Sequence, residues 1–398
     1  MPERSEAAVS KQDTQVDDRQ RPVWFVVPAP DDSAATRFIN RELSRIDFVS
    51  RVLALAEDRT LPVLERAKFL AISSQSIDEF FQVRVAALKE QQEATVAVLS
   101  PEGMTPGEQL AGIRTRVEDL LARQAAAFAE QIVPDLDAGG IRFSAWKDLD
   151  EEDRFYLDEV FEQKIFPVLT PLAVDPAHPF PYISNLSLNL AVIVRARMDT
   201  ASRLARVKVP PLLPRFVVMP DGERFVPLEQ VIHAHLGSLF PGMEIVAAHT
   251  FRVTRDALYE TDDEASDLLE AVEAAIRMRR RSRRTVRLEL ERDTSDEAFD
   301  LLVRELELEP ADVYWEDAPL DLSGLWTLYG LDRPDLKEEP WVPMTQTRLA
   351  PRGSDMPDLF EVVSQGDVLV HHPYDSFRTS VEAFLEQAAN DPSALAIK

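Results

Sequence analysis

The sequence contains no cysteine among its 398 residues, and this absence excludes several kinds of chemistry. Without a thiol there is no disulfide, no thiolate nucleophile and no cysteine-ligated zinc. No apolar run approaches the roughly 20 residues that a membrane-spanning helix needs. The N-terminal stretch MPERSEAAVSKQDTQ lacks the hydrophobic region of a secretory signal, so a cytoplasmic protein is expected.

Basic residues are also scarce: 44 lysines and arginines stand against 70 acidic residues, and the formal net charge is −26. A surface this acidic repels phosphate backbones and anionic lipids, so nucleic acid is not an expected partner. At 398 residues the chain has room for two or three domains, each with its own core.

The first part of the chain predicts a polar leader followed by helices. Residues 1–36 carry mixed charges and several prolines, which is typical of a disordered segment. Residues 37–140 are predicted to form an all-α domain. Asn40 is the predicted N-cap of its first helix. A later helix begins at the capping box Thr105-Pro106-Gly107-Glu108 and is expected to end at Pro134 and Gly139-Gly140.

Residues 61–92 are the stretch around which this domain is organised. Two apolar stripes at helical spacing are present, formed by Leu64, Ala67 and Ala71 and by Ile77, Phe81, Val85 and Leu88. Between the stripes lies the run Ser73-Ser74-Gln75-Ser76. Its side chains bond readily to backbone or ligand, so the run is interpreted as a corner between two helices and as too polar for the core.

Strands and helices are interleaved after Gly140, which predicts an α+β middle domain over 141–350. Apolar residues from Leu186 to Val194 alternate with Ser187 and Asn189, a pattern that indicates a strand. Further strands are predicted at 205–209, 216–219, 244–254 and 286–290, and helices at about 149–165, 228–239, 262–281 and 294–307. Capping boxes at Thr261-x-x-Glu264 and Thr294-x-x-Glu297 favour the starts of the last two helices.

Residues 351–398 are predicted to hold a linker and the first βαβ elements of a truncated α/β domain. These elements are a strand at 368–370, an amphipathic helix containing Phe377, Val381, Phe384 and Leu385, and a strand at 394–397. Parallel strands need neighbouring strands and covering helices. We therefore expect this segment to be weakly protected or to associate with a second copy.

Several strings resemble the type 1 polyphosphate kinase family. They are NRELSR (40–45), LPVLERAKFLAI (61–72), DEFFQVRVAAL (78–88), PVLTPLAVDPAHPFPYISNLSLNLAV (167–192), FPGMEI (240–245) and DVLVHHPYDSF (367–377). The resemblance implies reversible transfer of the terminal phosphate of ATP to inorganic polyphosphate, with Mg²⁺. It also implies a homodimer formed through the middle domain.

The resemblance assigns no catalytic residue to this chain. The family's phosphorylated histidine lies beyond the position that matches Lys398, so the chain alone is expected to be inactive. One family contact falls inside: the Asn that touches the nucleotide base corresponds to Ser76. The family's Trp after Glu-Leu-Ser corresponds to Arg45. A Ser makes one hydrogen bond where an Asn makes a pair, so weaker nucleotide binding is expected.

An arginine-rich run occupies residues 277–287. One interpretation is a solvated helix C-terminus, where cations offset the helix dipole. The other is a rim that binds polyphosphate through Arg279, Arg280, Arg281 and Arg283, because guanidinium groups suit phosphate oxygens. The histidines add no further site: His371-His372 are interpreted as structural, and no metal ligand is assigned.

Two functions follow from these observations. The first is that of a polyphosphate kinase whose phosphohistidine lies outside these residues. The second is that of a non-catalytic, truncated relative that dimerises or binds polyphosphate.

Overall fold

Two long helical stretches form the N-terminal part of the structure, a computed structural model that describes residues 37–94, 99–173, 180–196, 202–257, 284–351 and 356–396. The helices are α1 (Arg41–Glu57), α2 (Val63–Phe80), α3 (Ala86–Glu93), α4 (Pro106–Ala126) and α5 (Val133–Ala138). Wider π-helical turns at Phe81–Val85 and Ala127–Ile132 join α2 to α3 and α4 to α5. The helical prediction is confirmed here, whereas the predicted leader lies outside the described residues.

Both predicted helix starts in this part are confirmed. The Asn40 side chain accepts a hydrogen bond from the Leu43 amide at 2.9 Å. Thr105 Oγ1 accepts from the Glu108 amide at 3.2 Å, and the Glu108 carboxylate accepts from the Thr105 amide at 2.8 Å. These caps satisfy amides that have no partner inside their helices.

The predicted corner at Ser73–Ser76 is wrong, because α2 continues without interruption through all four residues. Ser73 Oγ donates to the Leu70 carbonyl and Ser76 Oγ donates to the Ile72 carbonyl, each at 2.8 Å. Serine hydroxyls that bond back to the preceding turn are compatible with a helix interior. Ser73 is fully buried and accepts from Gln124 Nε2 at 2.8 Å. The run is therefore partly core, contrary to its polarity.

The second helical stretch also runs further than Pro134 suggested. Pro134 lies in the first turn of α5, where its missing N–H removes no necessary bond. The stretch ends at Gly139-Gly140, and Gly140 has a φ of +79°, which favours glycine.

A six-stranded sheet organises the middle part of the chain, in the order β2-β4-β3-β7-β8-β9. A three-stranded sheet, β1-β6-β5, lies beside it. All neighbours in the larger sheet are antiparallel except β8 and β9, which are parallel. The strands are β1 (Arg142–Phe143), β2 (Leu172–Ala173), β3 (Leu188–Ala196), β4 (Ser202–Lys208), β5 (Phe216–Val218), β6 (Arg224–Pro227), β7 (Met243–Arg255), β8 (Thr285–Glu291) and β9 (Val313–Glu316).

Helices cover both faces of the larger sheet, so β3 is buried along seven consecutive residues. The alternating pattern of β3 correctly indicated a strand. The polar positions in that pattern do not form an exposed face, because Asn189 is fully buried. The helices of this part are α6 (Glu151–Val160), α7 (Leu228–Ala234), α8 (Leu236–Leu239), α9 (Asp296–Glu305) and α10 (Trp326–Tyr329). The mixed helix-and-sheet prediction is confirmed. The cap of α9 is Ser295 rather than Thr294, whose hydroxyl donates to the Glu291 carbonyl at 2.7 Å.

The C-terminal segment differs from its prediction. It contains α11 (Leu359–Ser364), which the sequence did not indicate, and α12 (Ala383–Asn390) after a π-helical turn at Arg378–Glu382. The strand predicted at 368–370 is wrong: Val368 and Val370 pack against a small apolar cluster around Leu349 and Leu359. Residues 394–396 also form no strand, because no neighbouring strand among the described residues pairs with them. None of the described helices has the length and apolarity needed to cross a membrane.

Candidate functional site at the end of helix α2

Ser76, the candidate nucleotide contact, lies on the half-buried face of α2. Its hydroxyl proton is used in the bond to the Ile72 carbonyl at 2.8 Å. A serine hydroxyl has one proton and two lone pairs. Ser76 can therefore accept a hydrogen bond from a ligand without losing its helical bond.

The residues next to Ser76 on this face already have partners on other elements. Gln75 Oε1 accepts from the indole N–H of Trp326 at 3.0 Å, which joins α2 to α10. Glu79 lies 4.0 Å from the guanidinium of Arg45, and both side chains are largely exposed. Arg45 also lies over the ring of Phe48, 5.5 Å from its centroid. Arg45 thus places a cation beside α2.

Asp78, two residues after Ser76, belongs to a buried charge cluster. Its carboxylate makes a two-pronged contact with Arg252 of β7, at 2.9 and 2.5 Å. Arg287 of β8 donates to the same carboxylate. Glu289 of β8 completes the group, at 2.9 Å from Arg252 and 3.1 Å from Arg287. This group of four residues, called the Asp78 cluster below, fixes the C-terminal end of α2 to the sheet.

Opposite charges in the Asp78 cluster keep Asp78 and Arg252 ionised. Burial alone raises the pKa of Asp78, but the guanidinium groups of Arg252 and Arg287 outweigh burial and bring that pKa below its ordinary value. Burial opposes the charge of Arg252 as well, yet Glu289 and Asp78 hold its pKa well above its usual range. Asp78 and Arg252 are therefore charged at neutral pH.

Glu316 of β9 is the exception beside this cluster. Burial raises its pKa to about 8, and the negative charge of Glu289 acts in the same direction. It borders a small cavity with Arg287, Glu289 and Asp321. At neutral pH this carboxyl is mostly protonated.

Aromatic rings support the π-helical turn that follows Asp78. The Arg287 guanidinium lies over the ring of Phe81, 4.5 Å from its centroid. Phe81 meets Tyr314 of β9 edge to face at 5.2 Å, and Arg114 of α4 lies 4.3 Å from the Tyr314 centroid. Strands β8 and β9 are thereby packed directly against α2 and α4.

The proposed polyphosphate contacts Arg279, Arg280, Arg281 and Arg283 lie outside the described residues. Two arginines near the end of the same run are described. Arg284 pairs with Glu93 of α3, and Arg287 is 1% exposed within the Asp78 cluster. Arg287 thus serves the interior, whereas Arg284 makes an ion pair at the surface.

His235, His371 and His372 have local partners. His372 Nδ1 lies 2.9 Å from the Asp375 carbonyl oxygen, and the His371 ring packs edge-on against Tyr374. His235 stacks on Phe161 and lies 2.8 Å from Asp158, whereas His233 is exposed. His233 and His235 face different ways, as their spacing predicts.

Sequence reasoning missed the Asp78 cluster. A signal was present, because Arg252, Arg287 and Glu289 each interrupt an apolar strand pattern. Charged residues inside a buried strand require partners, but sequence spacing does not say which ones.

Three domain descriptions of one family match the chain in order. The polyphosphate kinase N-terminal domain matches residues 38–144, the middle domain matches 152–328 and C-terminal domain 1 matches 358–398.

Individual relatives agree with these matches. The polyphosphate kinase of Mycobacterium tuberculosis is 48% identical over 383 residues, covering 92% of this chain and 51% of the relative. That of Streptomyces coelicolor is 52% identical over 364 residues, covering 91% of this chain and 48% of the relative. The crystal structure of polyphosphate kinase from Porphyromonas gingivalis is 28% identical with a TM-score of 0.71, covering 89% of this chain and 50% of that chain. The chain spans about half the length of these relatives. It belongs to the polyphosphate kinase family.

Proposed function

We propose that this chain supplies the nucleotide-contacting half of a polyphosphate kinase, which transfers the terminal phosphate of ATP reversibly to inorganic polyphosphate. The observation that supports this most is the match of three consecutive family domains in family order. The phosphohistidine belongs, in this proposal, to the half of the relatives that the chain does not match. Residues 358–396 begin the catalytic region, in keeping with their match to C-terminal domain 1.

Ser76 contacts the nucleotide base in this proposal. Because its proton is held by the Ile72 carbonyl, Ser76 acts as an acceptor for an N–H group such as the amino group of adenine. Mg²⁺ accompanies the phosphates of ATP. We assign it no side-chain ligands here, since the described residues group no three His, Asp or Glu side chains in a way that holds an ion.

Arg279, Arg280, Arg281 and Arg283 are the proposed polyphosphate contacts, and the middle domain is the proposed surface of a homodimer. Light scattering with size-exclusion chromatography measures the dimer: a mass of one chain at micromolar concentration contradicts it.

Replacing the four arginines with Ser is expected to flatten the salt dependence of polyphosphate binding. An unchanged salt dependence favours the other interpretation of the run, a solvated helix C-terminus.

Labelled ATP tests the reaction. The chain alone is expected to incorporate no phosphate, and incorporation is expected once the C-terminal half of the Streptomyces coelicolor relative is added.

Titration calorimetry with ATP tests Ser76: Ser76→Asn is expected to tighten binding by about 2- to 10-fold, the equivalent of one added neutral hydrogen bond. Glu79→Gln, on an exposed neighbour, is the control. Equal affinities in all three proteins exclude Ser76 from the site. Failure of the mixed halves to incorporate phosphate favours a non-catalytic relative.

A further inference from the structure

Two cations on strand β4 have no carboxylate partner among the described residues. Arg206 is 7% exposed, and Lys208 is half-buried two positions later on the same face of the strand. The described part of the chain places no Asp or Glu within ion-pair distance of either group. On a chain with a net charge of −26, two adjacent cations without carboxylate partners are unusual.

The polar groups around these cations orient them without neutralising them. Arg206 donates through Nε to Asn189 Oδ1 at 2.8 Å, and Asn189 is fully buried on β3. Asn189 Nδ2 donates in turn to the Ser187 carbonyl at 2.8 Å. Lys208 Nζ donates to Ser184 Oγ at 3.1 Å. Each of these partners is neutral, so no described residue compensates either positive charge.

The outer edge of the Arg206 guanidinium has no partner in the described part of the chain. Its Nη1 and Nη2 atoms make no hydrogen bond to a described residue, and neither is fully enclosed. Burial lowers the pKa of Arg206, and burial followed by the charge of Arg206 lowers the pKa of Lys208. The folded protein therefore carries an electrostatic cost at this position, which an anion of the right size removes.

We propose that Arg206 and Lys208, with Ser184 beside them, bind a phosphoryl oxyanion on the middle domain. The outer edge of a guanidinium donates hydrogen bonds to two oxygens of one phosphoryl group, and an ammonium group donates to a third. This inference rests on the proposed function only for the identity of the natural ligand, which we take to be a phosphoryl group of polyphosphate. It assigns a contact on β4, far in sequence from Arg279–Arg283.

Tripolyphosphate, inorganic phosphate and ATP are the probes, each added to the full chain at constant ionic strength. Calorimetry is expected to show binding, and the thermal midpoint is expected to rise with the anion. Arg206→Met and Lys208→Met are each expected to weaken binding by about 10- to 100-fold, the range for a charged hydrogen bond. Arg203→Met, on an exposed cation of the same strand, is the control and is expected to bind as the parent does.

Without anion, the variants are expected to unfold at the parent's midpoint or above it, because each removes an uncompensated charge. A fall in that midpoint for both variants identifies a structural role and overturns the proposal. So does unchanged anion binding in both variants, or the absence of any binding by the parent. Tighter binding of tripolyphosphate than of phosphate or ATP identifies the polymer as the natural ligand. Ser76→Asn separates the two sites. A higher ATP affinity in Ser76→Asn, together with weaker tripolyphosphate binding in Lys208→Met, supports both proposals. An ATP affinity that Ser76→Asn leaves unchanged refutes the Ser76 assignment alone.

Discussion

Replacing Asp78 with Asn tests the Asp78 cluster most directly. The substitution keeps the shape of the side chain but leaves Arg252 and Arg287, which are 2% and 1% exposed, with one carboxylate fewer. Removing one partner of a buried ion pair costs about 3–5 kcal/mol, since the remaining charge stays desolvated. We expect a loss of that size for Asp78→Asn, because Glu289 stays in contact with both guanidinium groups.

Urea denaturation followed by tryptophan fluorescence measures this loss, and hydrogen exchange on β7 and β8 locates it. Glu79→Gln is the matched control: Glu79 is the next residue on α2, its partner Arg45 is 4.0 Å away, and the pair is largely exposed. Such a surface pair is worth about 0–1 kcal/mol. A cost below about 1 kcal/mol for Asp78→Asn, or equal costs for the two variants, refutes the role of the cluster.

The pH dependence of the same variant has a definite sign. The pKa of Asp78 is lower in the folded protein than its ordinary value of 3.8. Its contribution is therefore complete above that value and is lost as the pH falls through the folded pKa. The stability difference between parent and Asp78→Asn should be constant near neutral pH and should shrink only in acid. A difference that shrinks between pH 6 and 8 would contradict this assignment.

Three further predictions follow from other contacts. Glu316 has a pKa of about 8 in the folded protein against an ordinary 4.5, so it destabilises the fold progressively as the pH rises between these values. In Glu316→Gln the denaturation midpoint should depend less on pH over that range. A pH dependence equal to the parent's would exclude the effect. Gly324→Ala places a methyl group 2.6 Å from Arg215 Cγ and should cost about 1–3 kcal/mol, measured by urea denaturation against Gly237→Ala, where the added carbon meets nothing within 4 Å. Amides of residues 366–396 should exchange fastest among the described elements, or become protected only at high protein concentration, and slow exchange at every concentration would show a complete core.

Local signals in the sequence predicted the features whose partners are local. The caps at Asn40 and Thr105 were predictable because donor and acceptor lie three residues apart. Ser73 was misplaced because the side chain that satisfies it, Gln124, lies 51 residues away. The strand predicted at 368–370 failed for a related reason, since a strand exists only where another strand pairs with it.

The candidate site shows the same difference between features with local partners and features with distant partners. Ser76 was identified through the family resemblance, and only the structure shows that its proton is already used. The Asp78 cluster brings together residues separated by as many as 209 positions, which no spacing rule connects. Arg206 and Lys208, which have no carboxylate partner among the described residues, did interrupt an apolar strand pattern. That pattern marks charged residues inside a strand but does not reveal the lack of a carboxylate beside them.

The unbroken course of α2 has a consequence for how this protein tolerates change. Ser76 and Asp78 are two residues apart, so they lie about 3 Å apart along the helix axis but about 200° apart around it. The side of the helix that carries Ser76 is half-buried, and the side that carries Asp78 is anchored in the sheet. The outward position is thereby free to vary in its side chain while the anchor keeps the helix in place. A substitution at position 76 is therefore expected to leave the anchor at Asp78 intact.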